Sequence, residues 1–362
     1  MSTSKRLTNW DLLRALSMFL VVVVHIAPQL GSFRNINASA IASTAAIICD
    51  PIFFCLSGYF ALKPLKKSYK DYLFGKALSL LLPIFIYATL LYAYKAATGS
   101  LQDTNYIRYT SSLVRGGWWF VPALIPYILV APVLSKMFDA LDDRTCKIIL
   151  FATLGIYAWG GLSSAANSLL INSQHVTLSA AVGMLQNIIP RSLLGGTYFT
   201  FFCMGYFVKR VNPLLNRHEA CFIKTAGISF IIIDIVSAYF GLERSDPSFN
   251  WMIVTVAIFV AFDGVKLQSQ SLSKTIEWVA KRSYSIYLLQ YATIEFATNV
   301  IYAGALNGRY ATLVWPLRLS TWIFATVLAY GLALAVASIV DTLIIEPIQK
   351  KLRTSATFIL NN

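Results

Sequence analysis

Arg14 and His25 share one apolar stretch that runs Asp11-Leu12-Leu13-Arg14-Ala15-Leu16-Ser17-Met18-Phe19-Leu20-Val21-Val22-Val23-Val24-His25. On a helix, eleven residues at 100° each make about three turns plus 20°, so both side chains project from the same face. They stand roughly 16 Å apart along the axis at 1.5 Å per residue. A cation near one membrane edge and an imidazole deep in a span are costly in hydrocarbon, so both are expected to face a protein-lined cavity. Asp11 lies three residues before Arg14, on the same helix face. It either makes a local ion pair or orients the guanidinium toward a phosphorylated ligand, which Arg grips bidentately. For His25 the plain alternative is a buried imidazole bonded to a carbonyl. His175 and His218 fall outside the expected spans, so a reaction that needs an imidazole within the membrane has His25 as its candidate.

The elements that must position these residues are membrane spans. The chain has 362 residues, 57% hydrophobic and 13% charged, where a soluble domain carries about 25% charged residues. Ten spans are expected, at 10–30, 41–62, 72–94, 118–135, 147–164, 192–209, 221–241, 248–266, 283–303 and 316–345. The fold class is therefore all-α: a polytopic, multi-pass membrane protein read as a single domain over 1–362. The first apolar run is longer than a signal-peptide core and lacks a persuasive cleavage site, so it reads as a retained span. Of the 30 Lys and Arg residues, 22 fall in the segments on the side of the N-terminus and eight on the other. By the positive-inside rule that bias puts both termini in the cytoplasm. It also explains the net charge of +14 through topology and anionic lipid, without a nucleic-acid partner. Five cysteines without metal spacing read as small packing residues, and no metal site is expected.

Further ionisable residues fall within the spans: Asp50, Asp234, Asp263, Glu295, Asp341 and Glu346. Asp263, Asp341 and Glu346 lie near the inner interface, where ion pairs with inner Lys or Arg are expected. Asp234 serves either as interhelical glue or as substrate-side polarity. Glu295 lies one turn past Tyr291 and is equally suited to an interior cavity or a structural role. Two outer segments are long, 95–117 and 165–191. The first ends in Arg115-Gly116-Gly117-Trp118-Trp119-Phe120, and the second ends at Arg191.

At this point the chain resembles a known family, the integral-membrane acyltransferase family 3, which includes surface-polysaccharide O-acetyl- and O-succinyltransferases. Asp11, Arg14 and His25 match its first helix. Phe53-Phe54-Cys55-Leu56-Ser57-Gly58-Tyr59 matches the end of its second span, and Trp119-Phe120 the opening of its fourth. Gly205-Tyr206 after a Phe-rich helix, Ser283-Tyr284-Ser285-Ile286-Tyr287-Leu288 and Glu346-Pro347 match later motifs. Gln290 stands where many relatives carry His, and Ser79 fills the second place of a basic pair that Lys76 begins.

The resemblance implies transfer of an acetyl or succinyl group from cytosolic acyl-CoA to a sugar hydroxyl of a surface glycan or lipid-linked sugar, at the cell membrane. The donor, acetyl-CoA or succinyl-CoA, is a substrate, and no permanently bound cofactor is implied. Arg14, Asp11, Lys76 and Arg282 would meet the donor phosphates. His25 would act either as general base or as acylated nucleophile. Ser57, Tyr284 and Gln290 are candidates for an oxyanion donor, with Trp119, Arg191 and Glu295 on the acceptor side. The competing reading is a transporter or flippase for a lipid-linked glycan, without acyl chemistry.

Overall fold

The computed structural model describes residues 8–189, 198–241 and 248–360. Their helices are α1 Thr8–Ile26, α2 Ala38–Ala46, α3 Cys49–Ala61, α4 Tyr69–Ala97, α5 Tyr106–Arg115, α6 Phe120–Asp139, α7 Asp143–Asn172 and α8 Val176–Ile188. These are followed by α9 Tyr198–Val211, α10 Arg217–Tyr239, α11 Asn250–Asp263, α12 Gln270–Lys281, α13 Ser283–Thr298, α14 Trp315–Val340 and α15 Glu346–Leu360. Two π segments, Asn299–Ala305 and Asp341–Ile345, follow α13 and α14. Among the described residues there is no β-strand, only a bridge between Phe33 and Ile36.

Side-chain caps set several starts. Ser68 accepts the Asp71 N–H before α4, Asp142 the Thr145 N–H before α7, and Asn216 and Glu219 form a reciprocal capping box at α10. The carboxylate of Asp142 is held below its ordinary range by these bonds to Thr145.

Among the described residues, seven helical stretches are long and apolar enough to cross a membrane: Thr8–Leu30, Ala38–Ala61, Tyr69–Ala97, Phe120–Asp139, Asp143–Ile171, Arg217–Tyr239 and Trp315–Thr354. The other three expected spans fall on α9, α11 and α13, which have 14, 14 and 16 residues. The second stretch is interrupted, because α2 ends at Ala46 and α3 starts afresh at Cys49.

The chain divides into two compact units, Met1–Pro64 with Val130–Lys274, and Leu65–Leu129 with Thr275–Asn362. In the first, α9 is the centre. Phe201, Phe202, Cys203, Met204 and Phe207 are all buried, and the helix packs against α3, α7 and α11. Two glycines bring α3 and α9 into backbone contact. A Cβ on Gly58 would strike the Phe202 carbonyl, and one on Gly205 would strike the Cys55 carbonyl and the Tyr59 amide. The Ser-Gly-Tyr and Gly-Tyr motifs are thus the two halves of one helix crossing.

In the second unit, α13 and α14 run antiparallel and pack along their length. Trp118 is buried and donates its indole N–H to the Leu288 carbonyl at 3.0 Å. The Phe120 N–H reaches the Tyr287 hydroxyl at 3.2 Å, and the ring of Tyr291 covers Gly117, where a side chain would collide.

Candidate functional site

In the first unit, α1 is one unbroken helix, so the shared face of Arg14 and His25 is real. Its start is fixed by Trp10, whose ring packs on Tyr59 (4.7 Å) and Phe259 (5.1 Å). The Asn9 amide donates to the Phe262 carbonyl at 3.0 Å. A 3-10 turn over Ala27–Leu30 ends α1 directly after Ile26, and the Gly31 N–H donates to Ser39 Oγ of α2 at 2.7 Å. His25 is therefore held near a braced end rather than a frayed one.

Asp11 Oδ1 lies 3.6 Å from Arg14 Nη1, and the guanidinium sits 5.4 Å over the Phe60 ring. The Asp11 side chain is almost fully buried, whereas that of Arg14 is 30% exposed. The carboxylate is the fixed member of the pair, and the guanidinium keeps an accessible edge. Half-buried His25 is three turns further on, and half-buried Ser57 belongs to α3, which packs on α1. Ser17 was not singled out in the sequence. Its Oγ is fully buried, has no hydrogen-bond partner, and lies within 60° of Arg14 on the face shared with His25. A small polar residue three positions after Arg14 in an apolar helix was the signal available for it.

Elsewhere in this unit, Asp234 is buried and accepts from the Asn250 amide at 2.6 Å, joining α10 to α11. That is the interhelical alternative of the two open for it. Arg191 lies outside the described residues.

The second unit holds the other candidates. Lys76 lies 5.6 Å over the Tyr72 ring. Arg282 is buried, stacks on Trp278 at 4.7 Å, and donates to the Trp278 carbonyl and, at 3.4 Å, to Thr342 Oγ1. Its Nε has no partner, and no carboxylate lies within ion-pair distance among the described residues. Tyr284 donates to the Leu80 carbonyl at 2.8 Å, so its proton is already engaged. Gln290 is 0% exposed, and neither end of its amide is hydrogen-bonded. An unpaired buried amide is costly, more so in a helix among apolar neighbours, and it can give one hydrogen bond and accept another. Trp119 is half-buried beside Phe120, at 6.4 Å between ring centroids.

Of the two roles open to Glu295, the structure shows the structural one: its side chain is 54% exposed and pairs with Lys95 at 3.4 Å. The spacing from Tyr291 gives its depth along α13 but not which way it faces. Asp341 feels the charge of Arg282 but makes no direct ion-pair contact with it. It is buried and accepts from Tyr87 (2.9 Å) and Ser285 (2.7 Å) at the start of the π segment, which turns it into the unit.

The class of this protein is that of the integral-membrane acyltransferases of family 3. The chain belongs to this family, whose acyltransferase-domain profile matches residues 7–341. The nodulation protein NolL of Mesorhizobium japonicum (strain LMG 29417 / CECT 9101 / MAFF 303099) is 22% identical over 370 residues, covering 97% of this chain and 89% of that protein. No solved structure matches the chain.

Proposed function

We propose that this acyltransferase takes an acetyl or succinyl group from cytosolic acyl-CoA and delivers it to a hydroxyl of a surface glycan or lipid-linked sugar on the other side of the cell membrane. The observation that carries the reading is the face of α1, where Arg14 and His25 stand about 16 Å apart with the buried Ser17 hydroxyl between them. Asp11 braces the guanidinium, which keeps an exposed edge for donor phosphate. The second unit carries its own candidates for donor phosphate, Lys76 and the buried Arg282. The positive-inside bias supports a cytoplasmic position for the Arg14 end of α1.

His25 lies toward the acceptor side. As general base it takes the proton of the sugar hydroxyl as the oxygen attacks the thioester carbonyl. The coenzyme A thiolate leaves and is protonated. As nucleophile it carries the acyl group between two such steps. The carbonyl oxygen gains negative charge in either course, and the Ser17 or Ser57 hydroxyl of the first unit is a donor suited to it; the Gln290 amide of the second unit is a separate candidate. Trp119 and Arg191 suit an acceptor mouth, the one by stacking on a sugar ring and the other by charge.

The test is thiol release from acetyl-CoA by the purified protein with a glycan acceptor. His25→Ala is expected to lower turnover about 100-fold or more while the protein stays folded. Near-normal turnover in a folded His25→Ala variant removes the role. The absence of thiol release with either acyl-CoA favours the carrier alternative.

A further inference from the structure

At the end of the second unit remote from Arg282, two buried tyrosine hydroxyls and an arginine come together with no acidic group of the described residues paired to the cation. The chain leaves α13 through the π segment Asn299–Ala305 and turns back through Asn307 and Gly308, both with positive φ (47° and 75°). The Gly308 N–H bonds the Tyr302 carbonyl at 2.8 Å, which closes the turn. That closure stacks the rings of Tyr302 and Tyr310, with centroids 3.9 Å apart and planes 16° from parallel. Arg318, in the first turns of α14, lies 5.3 Å over the Tyr310 ring. Tyr310 is only 7% exposed; its hydroxyl and the Tyr302 hydroxyl are buried against one another, and Arg318 Nε is a buried atom with no hydrogen-bond partner.

We propose that Tyr302, Tyr310 and Arg318 form a binding site for an anionic group, a carboxylate or a phosphate. All three heads can donate a hydrogen bond, and one carries a full positive charge. From Phe296 to Val340 the sequence contains two arginines, Arg309 and Arg318, and no Asp or Glu. The charge of Arg318 has no acidic partner among the described residues. Neutral water would satisfy the hydroxyls but leave that charge uncompensated, whereas an anion answers both. A π segment beside a left-handed turn is also the kind of local irregularity that helices keep at functional positions.

The positive-inside count places this end outside the cell. The identity of the occupant there rests on the acyl-transfer reading; the binding chemistry does not. Two sources carry such an anion: an acidic sugar of the acceptor glycan, and the headgroup of an anionic lipid in the facing leaflet.

The experiment is calorimetric titration of the full-length protein in neutral detergent, without any acyl donor. The probes are glucuronate against glucose, and dihexanoyl phosphatidylglycerol against dihexanoyl phosphatidylcholine. Saturable binding of glucuronate but not glucose identifies the glycan anion. Saturation by the glycerol lipid but not the choline lipid identifies the headgroup. In either case Arg318→Gln is expected to weaken binding roughly 10-fold or more, and Tyr310→Phe, which keeps the stack, by several-fold. Both retain their ring or stem packing, and Arg318→Lys is expected to restore part of the affinity. His25→Ala should bind the anion as the parent does, so failure of acyl transfer and failure of this site are separable. Saturation by neither anion, or equal affinity in the folded Arg318→Gln and Tyr310→Phe variants, overturns the proposal.

Discussion

Gly205→Ala tests the crossing of α3 and α9 directly. The added Cβ would overlap the Cys55 carbonyl and the Tyr59 amide. Both are backbone atoms of a helix, so no side-chain rotation relieves the clash. Restoring ordinary contacts of about 3.5–4 Å requires the helices to part by roughly 1 Å. Phe54, Phe201 and Phe202 are 0% exposed along this crossing, so parting opens a packed interior. Overpacking of this kind costs about 1–3 kcal/mol or more, against a gain of at most ~1 kcal/mol from replacing helical Gly by Ala. The net expectation is a loss of about 1 kcal/mol or more. Gly155 in α7 is the control. Nothing lies within 4 Å of its Cβ position, so Gly155→Ala should keep or raise stability. The assay is unfolding in mild detergent, followed by tryptophan fluorescence. Gly58→Ala drives the same helices apart, so the double variant should lose less than the sum of the single ones. A Gly205→Ala protein as stable as the parent, with Gly155→Ala unchanged, refutes the reasoning.

Other outcomes follow from single contacts. Arg14→Ala should weaken acetyl-CoA binding in a direct titration, and Arg14→Lys should recover only part of it, since the bidentate fork is lost; unchanged affinity makes Arg14 structural. Tyr87→Phe removes one of the two hydroxyl donors to Asp341 and is expected to cost about 1–3 kcal/mol of unfolding stability. Glu295→Gln, by contrast, breaks only an exposed pair and should shift stability by less than about 1 kcal/mol. A large loss there would return Glu295 to the interior.

The reach of the sequence differs from residue to residue. Arg14 and His25 were legible because a helix fixes both rise and azimuth over eleven residues, and nothing between them breaks it. The caps at Ser68, Asp142 and Asn216 carry the same kind of local signal. The break between α2 and α3 had a signal in Pro51, which cannot bond back to Ile47 and is tolerated only in the first turn of a new helix, but the apolar run through Ile47 and Ile48 masked it. For Asp341 the neighbouring cation, Arg282, was legible from its inner position, but its hydroxyl donors were not: the π segment turns it toward Tyr87 and Ser285, and the first of these lies 254 positions away. Gln290 and Ser17 carried the weakest signals, since an unsatisfied amide or hydroxyl is a property of its surroundings rather than of its spacing.

The brevity of α11 has a consequence for how far a reacting group has to travel. Its 14 residues rise about 21 Å, against roughly 30 Å for the hydrocarbon of a typical bilayer. Ten of its residues are buried, so the protein shelters it from lipid and it need not match the lipid thickness. It is bounded by Asn250 at one end and the exposed Asp263 at the other, and it packs on α1. The helix thus rises about 9 Å less than the hydrocarbon of a typical bilayer is thick. The roughly 16 Å between Arg14 and His25 is most of that rise. On the proposed reading, a donor held by its phosphates at one rim needs only a flexible arm of that length, with no carrier motion of the whole protein, to present its acyl group at the other.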